Sequence, residues 1–230
     1  MALNLQGTLD NCDNNDEVRA IVLSGNGKAF CAGQDLKEVT DPELNPGFKK
    51  ILEEHYNPII TRLRFVKKPI IGAINGVAAG AGANIALACD IVVAHEKVSF
   101  IQAFSLIGLV PDSAGTFFLP RLIGFQKAQA LAMLGDKISA SDAEKMGMIY
   151  KCVTLEEFEE TISKLAIKVA NMPTKALGFI KELFNKSMTN TLDEQLALES
   201  KLQIEAAQSE DYKEGVAAFI EKRKSNFKGN

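Results

Sequence analysis

The period of the hydrophobic positions changes several times along the chain, and each change marks an element. Leu3 to Leu9 reads as a helix. Val18 to Leu23 is a short apolar run ending in Ser24-Gly25-Asn26-Gly27, the pattern of a buried strand that enters a turn. From Leu52 the apolar residues Leu52, Tyr56, Ile59, Ile60 and Leu63 recur at helical spacing, which predicts an amphipathic helix kinked at Pro58. Pro69 to Ile74 then predicts a strand, Asn75 to Gly82 a glycine-rich turn, Ala83 to Cys89 a buried helix and Ile91 to Ala94 another strand. Alternation of this kind predicts an α/β body. Beyond Tyr150 the pattern is helical, with capping-box starts at Thr154/Glu157 and Thr191/Glu194 and no strong strand signal. Asn171 to Thr174, containing Pro173, is the one break expected in that helical part.

Composition narrows the class. With 230 residues, 47% hydrophobic and 24% charged, the chain can bury one substantial core or two small ones, so one enzyme-sized unit is expected. A net charge of −3 with mixed signs gives neither a basic stripe for nucleic acid nor a polybasic membrane arm, which favours a small-molecule partner. Pro69 to Ala94 is long enough to span a bilayer, but Asn75, Asn84, Asp90 and four glycines interrupt it. Cys12, Cys31, Cys89 and Cys152 lie too far apart for a CxxC redox pair or a local metal cluster. We expect buried free thiols and a reducing, cytoplasmic setting.

Three segments could carry chemistry. In Lys28-Ala-Phe-Cys-Ala-Gly-Gln-Asp-Leu36, a loop of small residues, Gly33 permits a turn that aims the next N–H into a cleft; on pattern alone the segment is an ordinary surface turn. Asn75-Gly-Val-Ala-Ala-Gly-Ala-Gly82 leads into a helix, so unpaired N–H donors and the positive end of a helix dipole converge on a spot suited to an oxyanion or a phosphate. Gly80-Ala-Gly82 is also part of a dinucleotide fingerprint, but Ile85 stands where the third small residue belongs and Phe100 where an acid is needed. In Gly108-Leu-Val-Pro-Asp-Ser-Ala-Gly-Thr116, Asp112 taken alone reads as a helix N-cap rather than a catalytic acid. His55 and His95 have no nucleophile at suggestive spacing and read as structural.

Taken together, Val18 to Gly25, Ala29 to Leu36, Lys68 to Gly76, Gly80 to Gly82 with Cys89 to Ile91, Gly108 to Pro111, Ile138 to Met148 and Glu214 to Lys224 resemble the crotonase (enoyl-CoA hydratase/isomerase) superfamily. The resemblance covers almost the whole chain. It implies an α/β, crotonase/ClpP-like spiral of ββα turns over residues 1–170, without the family's N-terminal hairpin, and a helical C-terminal trimerisation region over 171–230. It also implies an acyl-CoA thioester as partner, a homotrimer or dimer of trimers, and no metal or cofactor beyond the CoA of the substrate. The family's oxyanion hole falls by position on the backbone N–H groups of Gln34 and Ala81. As a thioester α-carbon loses its proton, charge gathers on the carbonyl oxygen, and each fixed donor there is worth about 3 kcal/mol.

Hydratases of the family carry two water-activating glutamates, and the corresponding positions here are Asn84 and Phe104. The acid falls at Asp112, where related isomerases place a catalytic aspartate. One carboxylate beside the apolar Phe104 suits a proton shuttle better than water addition. Ala103 to Asp112 and Thr189 to Asp193 resemble the isomerases of phenylacetate degradation within the family. For CoA, the resemblance implies the segment of Ala29, Ala32, Asp35 and Leu36, together with Phe219 and Lys222 reaching over from a neighbouring subunit. On helical periodicity alone Phe219 reads as core and Lys222 as a solvated face. A delta-3 to delta-2 enoyl-CoA isomerase, and a non-catalytic acyl-CoA-binding protein, are the alternatives.

Overall fold

Ile70-Ile-Gly-Ala-Ile74 is apolar throughout because both of its faces are covered, the usual condition of a strand in a parallel sheet. It is β3 in a computed structural model that describes all residues 1–230. Ile70 and Ile74 point into the main core with Ile59, Leu63, Ile85 and Phe100. Ile71 and Ala73 point the other way, onto Val93, Phe158 and Ile162. The other strands are β1 (Ile21–Ser24), β2 (Ala29–Cys31), β4 (Val77–Ala79), β5 (Ile91–His95), β6 (Ser99–Ile101), β7 (Lys137–Ser139) and β8 (Lys151–Val153). They form two four-stranded sheets, ordered β1-β3-β5-β8 and β2-β4-β6-β7, in which every pairing is parallel except β6 with β7. Each of the successive pairs β1/β2, β3/β4 and β5/β6 gives one strand to each sheet, and the chain thus advances as the expected ββα spiral.

The helices are α1 (Ala2–Asn14), α2 (Leu36–Thr40), α3 (Phe48–Lys50), α4 (Asn57–Phe65), α5 (Ala81–Ala88), α6 (Gly115–Ile123), α7 (Phe125–Leu134), α8 (Ala140–Lys145), α9 (Leu155–Ala170), α10 (Thr174–Ser187), α11 (Leu192–Ala206) and α12 (Glu210–Ile220). Helix α5 is buried on every side, which its small apolar residues allow. Both capping boxes form at the starts of α9 and α11. No helix is long and apolar enough to cross a membrane, and Pro69 to Ala94 is divided among β3, β4, α5 and β5.

Four expectations need correction. The segments read as a loop and a glycine-rich turn contain β2 and β4, and β8 follows Tyr150; three residues are too few to display a strand period. The helix that carries Pro58 is not α-helical throughout. The turn before Pro58 widens into a π-helical segment, Ile51–Tyr56, in which the Asn57 N–H donates to Leu52 O. Among the thiols only Cys89 is buried, its pKa pushed up to about 12 chiefly by burial; Cys12, Cys31 and Cys152 are half-buried. Finally, Phe219 is 86% exposed at the end of α12 and is no core residue.

The C-terminal helices are tied to the spiral by polar contacts. Lys181 of α10 reaches Asp90 at 2.8 Å, Arg64 stands 3.5 Å from the same carboxylate, and Asn185 pairs with the Arg64 guanidinium and its carbonyl. Burial pulls the Lys181 ammonium down in spite of Asp90, so desolvation offsets much of the attraction. Removing one partner leaves the other charge buried. Lys181→Ala is expected to lower stability by about 3 kcal/mol in urea unfolding, far more than Lys164→Ala, whose salt bridge to Glu160 on α9 is exposed.

Candidate active site

Two turns of the spiral meet where β2 and β4 end. Gly33 follows β2 with φ +88°, a conformation that L side chains rarely adopt, and a Cβ there would lie 3.5 Å from Ala81 N and 3.4 Å from Ala79 O. Gly82 packs closer still: a Cβ on it would stand 2.1 Å from Cys31 O, so only glycine lets α5 begin against β2. This brings the start of α5 beside the Gly33–Gln34 peptide. The N–H groups of Gln34 and Ala81 donate to no group in the chain. Ala81 is the first residue of α5, where unpaired donors and the helix dipole favour negative charge. The Phe104 ring is buried against Gly80, with its edge 3.7 Å from where a Cβ would be.

Asp112 lies in the turn before α6, and it does not cap that helix. Its carboxylate accepts only from the Ser113 hydroxyl, at 2.8 Å, and burial raises its pKa more than that bond lowers it. The turn is strained: Ser113 and Ala114 are successive non-glycine residues at φ +49° and +58°, conformations that cost about 1 kcal/mol or more each. A buried amide relay holds it. Gln102 Nε2 donates to Asn84 Oδ1 at 2.8 Å, and Asn84 Nδ2 donates to Asp112 O at 2.8 Å, which also accepts from Gly115 N. Asn84 is fully buried and anchors the turn through these two bonds. Behind the turn is an apolar cavity of about 520 Å³ whose lining includes Pro111, Gly115, Leu119, Phe125 and Met133.

The whole chain, residues 1–230, matches the model of the family described as enoyl-CoA hydratase/isomerase. The chain belongs to that family. It is 45% identical over 231 residues to the 1,2-epoxyphenylacetyl-CoA isomerase of Escherichia coli, an alignment covering 100% of this chain and 88% of that protein. It is 39% identical to the mitochondrial enoyl-CoA hydratase of Pongo abelii, over 92% of this chain and 71% of that one. The enoyl-CoA hydratase of Bacillus anthracis superposes with a TM-score of 0.91 at 32% identity, covering 100% and 88% of the two chains. As a family member the chain is an enzyme acting on acyl-CoA, and its relatives include both isomerases and hydratases.

Against that background the predicted residues divide into groups. Gln34, Phe104 and Asp112 sit on the β2–α2 and β6–α6 connections and Ala81 opens α5 just after β4, all at one end of the second sheet. Ala29 is in β2, Ala32 follows it, and Asp35 caps α2 by accepting from Lys37 N, leaving Leu36 exposed. Phe219 and Lys222 lie apart from this cluster in a single chain, at and just beyond the end of α12; Phe219 borders a groove with Pro173 and Phe227. His95 is structural as expected: its ring bonds to Asn75 O and Lys97 N and packs edge-on to Phe158. Sequence reasoning missed Gln102 and Ser113, whose partners are distant or set by an unusual backbone. It took Tyr56 only as an apolar helix position, yet Asp112, Cys31 and Glu38 are its electrostatic neighbours.

Gly82→Ala is expected to force β2 and α5 apart, lowering stability by about 2 kcal/mol and cutting turnover well beyond what the fold loses. Thermal unfolding beside acyl-CoA kinetics measures both.

Proposed function

We propose that the chain is an acyl-CoA isomerase that takes 2-(1,2-epoxy-1,2-dihydrophenyl)acetyl-CoA. The observation that carries this reading is the partly buried Asp112 carboxylate, set in a strained turn, with an anchored Asn84 and an apolar Phe104 where hydratases need glutamates. The 45% identity to an epoxyphenylacetyl-CoA isomerase over the full chain supports the choice of acyl group. A delta-3 to delta-2 enoyl-CoA isomerase uses the same constellation with another acyl pocket.

In this reading the thioester oxygen sits between the N–H groups of Gln34 and Ala81. Asp112, deprotonated, takes a proton from one carbon of the acyl group; the C–H electron pair moves into the enolate, and its charge rests on the thioester oxygen. With the epoxide thioester the bond between the two epoxide carbons opens to give the seven-membered oxepin ring, and the same carboxyl returns the proton to a ring carbon as the enolate collapses; with a 3-enoyl chain the proton simply returns to a different carbon. Phe104 helps keep water from the site, so the intermediate is reprotonated rather than hydrated. The segment of Ala29, Ala32, Asp35 and Leu36 holds CoA, with Phe219 and Lys222 supplied by a neighbouring copy for stacking and phosphate pairing. In this reading the protein works in a reducing cytoplasm as a trimer or a dimer of trimers, assembled partly through the 171–230 helices. Leu109, Val110, Phe125 and Met133, all exposed at the 520 Å³ cavity, give a second copy an apolar face to cover.

Asp112→Asn is expected to lower turnover of the epoxide and of cis-3-enoyl-CoA by about 100-fold or more, with thioester binding retained. A variant as active as the parent overturns the reading, and thioester binding with no turnover in the parent favours a binding protein. Because burial raises the Asp112 pKa, its basic form is lost on acidification at a higher pH than for an ordinary aspartate. The acid limb of kcat is therefore expected above the ordinary aspartate range. Light scattering on a sizing column is expected to give three or six chains per particle; a monomer refutes the shared CoA site.

A further inference from the structure

Tyr56 closes the π-helical segment, and its ring is buried to 3% exposure. Phenols so deeply placed normally find a hydrogen-bond partner, yet the Tyr56 hydroxyl makes no hydrogen bond within the chain. The sealed side-chain atoms without partners are Ser99 Oγ, Gln102 Oε1 and Ser105 Oγ. The Tyr56 hydroxyl is not one of them, so the tip of a buried ring borders open space. Burial above all, with Cys31, Asp112 and Glu38 within electrostatic reach, holds the phenol far above its ordinary pKa. It remains protonated and can donate. Glu38 is already engaged by the Gln34 side chain at 2.5 Å, and Asp112 by Ser113.

The placement has a local cause. Pro58 has no N–H, so Glu54 O loses the donor that an α-helix would supply. Gln6 of α1 replaces it: its Nε2 donates to Glu54 O at 2.7 Å and to His55 O at 3.0 Å. Such widened turns recur at functional sites. This one turns Tyr56 inward with Ile59, Ile60 and Leu63 while Glu53 and Glu54 stay at the surface.

We propose that the Tyr56 hydroxyl donates a hydrogen bond to an oxygen carried by the acyl group, and so selects oxygenated acyl-CoA substrates over plain enoyl chains. This rests on the reading that the thioester lies at Gln34 and Ala81 beside Asp112. An acyl group with an oxygen near the transferred proton satisfies the phenol. A hydrocarbon chain strips the phenol of water and offers nothing in return, which is costly for a buried donor.

The test has two arms. Tyr56→Phe is expected to lower kcat/KM for the epoxide thioester about tenfold or more, and to leave that for cis-3-enoyl-CoA unchanged or raised. An equal fall on both substrates, or no change on either, overturns the proposal. The second arm needs neither a variant nor turnover: titration of the parent with 2-hydroxyphenylacetyl-CoA and with phenylacetyl-CoA. The hydroxylated thioester is expected to bind about tenfold tighter, and equal affinities overturn the proposal even if Tyr56→Phe fails to fold. Activity retained by Asp112→Asn would sink the proton-shuttle reading while leaving this binding difference intact, so the two failures are distinguishable.

Discussion

The molecule depends on one close approach, that of the Cys31 carbonyl to the Cα of Gly82. Here the first residues of a fully buried helix press on the end of a strand from the preceding turn of the spiral. Nothing larger than hydrogen fits between them, which fixes the separation of the two connections more tightly than side-chain packing could. The consequence is electrostatic. Two backbone N–H groups that satisfy no internal acceptor are held near each other, and they need not reorganise when charge arrives. The Cys31–Gly82 contact is therefore both a packing constraint and the preorganisation of the candidate oxyanion site.

Asp112 needs a different kind of support. Two consecutive left-handed residues after it would relax in a free loop. They persist because the Asp112 carbonyl is gripped by Asn84 and by Gly115, and because Asn84 is itself gripped by Gln102. A charged residue at position 84 would be hard to hold in this arrangement. Its carboxylate could not donate to the Asp112 carbonyl, and it would stand close to the Asp112 charge at a fully buried position. Asn84 and Asp112 thus form a matched pair, and each makes the other tenable.

Much of this was legible in the sequence, for identifiable reasons. Gly33, Gly80 and Gly82 signal backbone requirements, which survive without knowledge of partners. The longer elements, β3, α5 and α9, announce themselves by composition and caps. What stayed hidden was short or tertiary. Strands β2, β4 and β8 have three residues each, and their pairing comes from neighbouring turns of the spiral. Taken alone Asp112 read as a cap because Pro-Asp-Ser before a helix has that form, and only the family resemblance turned it into the expected acid; the positive φ values at Ser113 and Ala114 move the helix start away from it. Helical spacing identified Tyr56 as buried, but spacing carries no information about the atom at the end of the ring.

The two halves of the site also divide the chemistry. A pair of N–H donors suits any thioester enolate and cannot by itself distinguish hydration from isomerisation, which fits a family that includes both kinds of relative. The distinction lies in what else reaches the reacting carbons. Water addition requires a base that holds a water molecule and an acid placed to protonate the carbon beside it. Here one candidate position is consumed by its own hydrogen bonds and another is a phenyl ring, while the remaining carboxylate is made more basic by burial. In the proposed reaction such a group keeps the proton it removes until the enolate takes it back. The physical choice between the two reactions thus comes down to whether water can stay in the site, and in the proposed reading Phe104 and an Asn84 already bonded to Gln102 and to Asp112 O both act against it.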